Sequence, residues 1–171
     1  MLAPFIKFLQ ALSNNTAPGQ IAHGFALGMI LGLLPKDNLL WYLLFVFFFF
    51  FRIQRGVFSL SVIIWALIAP LLDPYFDYIG FYILSYEKFQ PMFRTLVNIP
   101  FVAFTKFNNT VVMGSFVCGI CAYIPIYILT RLFVLLWRRY LAKYVRKFGF
   151  LTIVKQLPGI SKLIELVEDY V

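Results

Sequence analysis

From residue 21 to residue 137 the apolar residues fall in blocks parted by short polar breaks. The first two blocks, 21–34 and 39–51, flank Pro35, Lys36, Asp37 and Asn38, and Arg52 and Arg55 close the second. As helices they would be about 21 Å and about 20 Å long at 1.5 Å per residue. A hydrocarbon core is about 30 Å thick and takes about 20 residues, so both arms are undersized. The hairpin over 19–52 therefore either spans a thinned bilayer or re-enters, with its polar tip inside the membrane. Polar backbone at that depth survives only under a cover of protein or water. The pattern leaves both arrangements open. In the first arm Gly24, Gly28 and Gly32 recur every four residues, which in a helix makes one bare ridge. Such a ridge admits another helix closely, and in lipid it is packing that holds helices together.

The block over 57–72 is interrupted by Pro70 and followed by Asp73, Pro74, Asp77 and an aromatic-rich segment up to 86. It predicts a second short hairpin over 57–86. Its order of short arm, proline, acid and short arm echoes the first hairpin as a weak internal repeat. Residues 87–110 mix Lys88, Arg94 and Lys106 with Phe, Met and Leu and suit an interfacial loop. Residues 111–137 are the one long span, about 40 Å as a helix, with Pro125 expected to kink it. Residues 2–13 read as an interfacial helix with Phe5, Ile6, Leu9 and Leu12 on one face. Residues 138–171 read as a basic amphipathic tail beyond a membrane domain of 1–137. The predicted class is all-α: an integral membrane protein with short helical hairpins, spanning or re-entrant, one long transmembrane helix and that tail.

Composition supports lipid as the solvent. The chain has 171 residues, 62% hydrophobic and 13% charged, where soluble domains run nearer half and a quarter. Its net charge of +8 lies mostly beside apolar spans, which favours orientation in a membrane and attraction to anionic lipid over nucleic-acid binding. With Arg52, Arg55 and the tail on the cytoplasmic side, both termini are expected there. No cleavable signal peptide is expected at the start of the sequence.

The chemistry on offer is sparse. Asp37, Asp73 and Asp77 are acids at or near membrane depth. Buried, they would be costly and would need partners, with Lys36, Arg52 or Arg55 as the candidates. At a headgroup-exposed loop they need none. His23 has no Cys, Asp or Glu at ligand spacing, so a helix-packing or interfacial role is expected rather than a metal. Cys118 and Cys121 match a redox spacing but lie in an apolar run, where two small apolar side chains are the simpler reading. No phosphate loop, nucleophile with a base, or carboxylate pair argues for an enzyme or a cofactor.

Ala17, Pro18, Ala22, Gly24, Ala26, Gly28, Gly32, Pro35 and the Arg52 region resemble the proline–glycine core of a group of bacterial inner-membrane proteins, domain of unknown function 2062. Residues 107–115, FNNTVVMGS, resemble its subgroup from bacteria with an outer membrane, usually encoded beside a large envelope protein. The resemblance reaches about Trp137, and where the wider group has Asn-Pro this chain has Ala69 and Pro70. It implies a multi-pass inner-membrane subunit partnering that envelope protein, with Asn108 and Asn109 toward the partner. By analogy with elongated lipid carriers, it implies a non-enzymatic role in phospholipid export or envelope maintenance. Lys36, Asp37, Asn38, Arg52, Arg55, Asp73 and Asp77 would then be the polar groups that handle lipid. The rivals are an ion or small-solute carrier and an anchor or assembly factor without transport.

Overall fold

The computed structural model describes residues 17–141. The described residues are helical, without a strand: α1 (Pro18–Leu33), α2 (Leu39–Phe49), α3 (Arg55–Leu84), α4 (Gln90–Val97), α5 (Pro100–Ala103) and α6 (Thr110–Leu136). The chain divides into two compact units, Met1–Val134 and Leu135–Val171. The described part of the second is the end of α6 and a π-helical turn, Trp137–Leu141. The interfacial helix expected over 2–13 and most of the tail over 138–171 lie outside the described residues.

Each start has a local cause. Pro18 opens α1 where its missing N–H costs nothing. The Asn38 side chain accepts from the Trp41 amide at 2.8 Å and opens α2. Gln54 does the same for α3 through Val57, and Asn109 for α6 through Val112. Pro91 and Pro100 sit in the first turns of α4 and α5. The segment expected as an interfacial loop over 87–110 therefore contains two short helices, because its prolines begin turns rather than break them.

α1 is the core. Ile21, Ala22, Ala26, Met29, Leu31 and Leu33 are buried, as is almost every other residue from Ile21 on. A helix apolar all round has to be enclosed on every side. Its glycines meet α3. A Cβ on Gly28 would stand 2.6 Å from both the Phe58 carbonyl oxygen and Ser61 Cβ, and one on Gly32 would stand 2.7 Å from Trp65 Cβ. Across the seam the Ser61 hydroxyl donates to the Phe25 carbonyl at 2.7 Å. Such bonds between membrane helices contribute about 0.6 kcal/mol on average, so close backbone packing carries most of this contact. A second bare contact holds α3 to α6: a Cβ on Gly80 would collide with Thr110, and one on Gly114 with Phe76.

The second hairpin expected over 57–86 is instead one unbroken helix of 30 residues, α3, with Pro70 and Pro74 inside it. The repeat fails with it, since Pro35 follows the end of α1 whereas Pro70 lies mid-helix. Proline removes one ladder bond, but opening the helix in apolar surroundings would strand many more backbone groups. Two helices, Arg55–Leu84 and Thr110–Arg139, are thus long and apolar enough to cross a membrane, where one was expected. Only 17% and 22% of their most apolar windows are buried, and Leu67 and Leu71 are each 75% exposed. A soluble core helix hides such side chains. An apolar solvent suits these.

Gly28→Val should force α1 and α3 apart and lower stability by about 1–3 kcal/mol. Gly119→Ala meets Ile30 at an ordinary 3.5 Å and should stay within about 0.5 kcal/mol of the parent. Thermal unfolding of both in detergent checks the contrast.

Candidate functional site

The polar break between α1 and α2 is where the charged groups gather. Leu34 is extended, and Pro35 ends α1 because its ring does not allow another helical turn. Asn38 then locks the turn: its amide donates to the Pro35 carbonyl at 2.6 Å while its oxygen caps α2. Only 3% of Asn38 is exposed, so this side chain is fully committed to shape. The Trp41 indole N–H donates to the Leu31 carbonyl at 3.0 Å, which serves the end of α1 and pins α2 against it.

Asp37 points outward and is bonded to Lys106 at 2.6 Å. The partners expected for it, Arg52 and Arg55, stand at the other end. α1 and α3 start side by side, the Gln54 amide donating to the Gln20 carbonyl, and the 16 residues of α1 carry the tip about 24 Å away. Lys36 is exposed and makes no pair with Asp37. Lys106 reaches the site because the segment after α5 folds back over the tip, the Leu39 amide donating to the Phe104 carbonyl at 2.9 Å. Its backbone sits at φ 52°, the left-handed region that L residues enter at a cost. The hydrogen bond and charge of Lys106 hold the Asp37 carboxyl below the usual carboxylate range.

The other candidates scatter. Arg55 lies over the Phe49 ring, 5.1 Å from its centroid, and Arg52 is exposed beside it. Asp77 accepts from the Thr110 hydroxyl, tying α3 to the start of α6, while Asp73 is half-buried four residues earlier. Asn109 caps α6, and Asn108 lines an open groove with Gln90, Phe93 and Arg94. Cys118 and Cys121 are free thiols on α6, the first half-buried and the second exposed. No three His, Cys, Asp or Glu side chains among the described residues are placed to hold a metal.

Two sets of partners were missed in the sequence, although a packing role was expected for His23. Lys106 is 69 residues from Asp37, a separation no local pattern reports. His23 hydrogen-bonds the Tyr123 hydroxyl at 2.6 Å and lies 4.4 Å from the Tyr127 ring, joining α1 to α6 near the end opposite the tip. The one available signal was the presence of two tyrosines a turn apart in an otherwise apolar span.

The chain is 37% identical over 158 residues to an uncharacterized protein of Treponema pallidum (strain Nichols), covering 92% of this chain and 98% of that protein. The chain belongs to that protein's family. No family model matches the chain. No solved structure matches it either.

Asp37 has its pKa depressed by the pair, so the pair stabilises above the ordinary carboxylate value of 3.8 and the effect fades as pH falls through the lower folded value. In detergent, Lys106→Met should melt below the parent at pH 7. By pH 2 the difference should shrink. A gap that widens on acidification would contradict the assignment of the pair.

Proposed function

We propose that this chain is a non-enzymatic, multi-pass subunit of a bacterial inner membrane that eases phospholipids across or out of the bilayer, partnering a large envelope protein. The observation that carries the reading is the shortness of α1 beside the two long helices. α3 begins at Arg55, next to Arg52, and displays Tyr75, Tyr78 and Tyr82, each at least 68% exposed, toward its other end. Headgroup layers favour basic and tyrosine side chains. Residues 55 to 75 of α3 measure about 30 Å, one hydrocarbon thickness. α1 starts level with Arg55 but ends after about 24 Å. On this reading α3 and α6 span, the α1–α2 hairpin re-enters from the arginine side, and its tip stops short of the tyrosines.

A matching dip comes from the other face. Gly119 of α6 lies beside Ile30 of α1, and α6 begins at Thr110, so its start is about 9 Å beyond the end of α1 at 1.5 Å per residue. Residues 104–106 come down from that level to the hairpin tip, where Phe104 and Lys106 bond it. On this reading the exposed ion pair lies within the edge of the hydrocarbon. A charged side chain there costs about 2.5–3.5 kcal/mol on insertion scales, and water and headgroups are drawn in to lower that cost. A bilayer thinned in this way presents a shorter apolar barrier to a passing headgroup.

The large partner is inferred from the resemblance of residues 17–35 and 107–115 alone, and cytoplasmic termini follow from the arginines by the positive-inside rule. Purified chain in proteoliposomes should speed transbilayer movement of a headgroup-labelled phospholipid. A rate equal to that of protein-free vesicles would leave an anchor or assembly factor as the better description. Ion leak without lipid movement would favour a carrier. The depth is tested separately, with a fluorophore on Lys36→Cys in a background of Cys118→Ala and Cys121→Ala. Quenching should be stronger from spin labels along the acyl chains than from labels at the headgroup, and the reverse order would sink the re-entrant arrangement.

A further inference from the structure

Asp37 and Lys106 stand on the rim of an open groove of about 610 Å³, whose walls include Tyr42, Phe101 and Phe104. Phe101 and Phe104 are each 68% exposed and Tyr42 is 56% exposed, so the groove offers an apolar wall next to a charged rim. Lys106 bonds Oδ2 of Asp37, and the carboxylate also takes its own backbone amide. A carboxylate has about four acceptor sites, so some stay open, and a lysine ammonium with one donor used has two more. Asn38 lines the same groove but its oxygen and amide already hold the turn. What the rim presents is therefore one anionic acceptor beside one cationic donor, and the Tyr42 phenol adds a hydroxyl to the lining.

We infer that this groove binds phospholipids whose headgroup carries both a phosphate and a primary ammonium, the phosphate on Lys106 and the ammonium on the open acceptor sites of the Asp37 carboxylate. The inference rests on the lipid-handling reading and names its lipid class. A quaternary ammonium has no N–H to give Asp37, and a headgroup with net negative charge brings no cation to it, so both satisfy only half of the pair. The acyl chains of the favoured lipid lie along Phe101, Phe104 and Tyr42. The backbone of Lys106 points the same way. Its left-handed turn suits glycine best, yet a long cationic side chain is present there and reaches the hairpin tip.

Native mass spectrometry of the full chain, released from nanodiscs of equal parts phosphatidylethanolamine, phosphatidylcholine and phosphatidylglycerol, reads the occupancy directly. The ethanolamine lipid should exceed the other two by about tenfold, the worth of one charge-assisted hydrogen bond. Asp37→Asn should abolish the preference over phosphatidylcholine. Lys106→Gly, which the backbone accepts without strain, should melt as a folded protein and lose all three lipids. Equal occupancy in the parent overturns the site, as does a preference for phosphatidylglycerol or one that survives Asp37→Asn. Flip rates are taken on the same preparations. Lipid movement without headgroup preference overturns the site alone, and preference without movement overturns the transport reading alone.

Discussion

Two helices that touch backbone to backbone are the constraint on which the rest depends. Gly24, Gly28 and Gly32 remove every side chain from one face of α1, and α3 fills the space with the Gln54 and Phe58 carbonyls, Ser61 and Trp65. In apolar surroundings burial gives no extra driving force between helices, so fit has to supply it. The seam brings α1 so close to α3 that α2 and α6 are left to cover its remaining sides, through Trp41 and Leu44 on one flank and Phe116 and Tyr123 on the other. A helix with no exposed face needs no polar stripe, and α1 has none from Ala26 to Leu34.

That enclosure fixes where the chemistry sits. Because α1 is keyed to α3 along its length, its end is keyed too, and Pro35 and Asn38 turn the chain at one defined height. Asp37 is delivered to where Phe104 and Lys106 meet the tip, and the pair closes there. On the proposed reading the helix seam acts as a ruler and the lipid site is the mark at its end.

Much of this was legible in order, and the failures have physical causes. The glycine ridge stood out because a four-residue period survives any tertiary context, and the arms over 21–34 and 39–51 differ from α1 and α2 by a few residues at their ends. Pro70 misled because the rule that proline ends helices assumes water ready to serve the freed carbonyl. Gly80 and Gly114 went unremarked as single glycines. Their meaning appears only when α3 and α6 are laid side by side, and no sequence spacing encodes that pairing. The partner of Asp37 was hidden for the same reason.

The two prolines of α3 lie between its two attachments. Below them, Phe58 to Ala66 are locked to α1; above them, Phe76 and Gly80 are locked to α6. Neither Pro70 nor Pro74 donates a backbone bond, so the Ala66 and Pro70 carbonyls have no partner in the helical ladder. The rod is therefore weakest in the two turns where it changes neighbours. Flexing there would tilt the tyrosine-bearing end against the buried base while leaving both glycine contacts whole, a joint placed where bending breaks the fewest bonds.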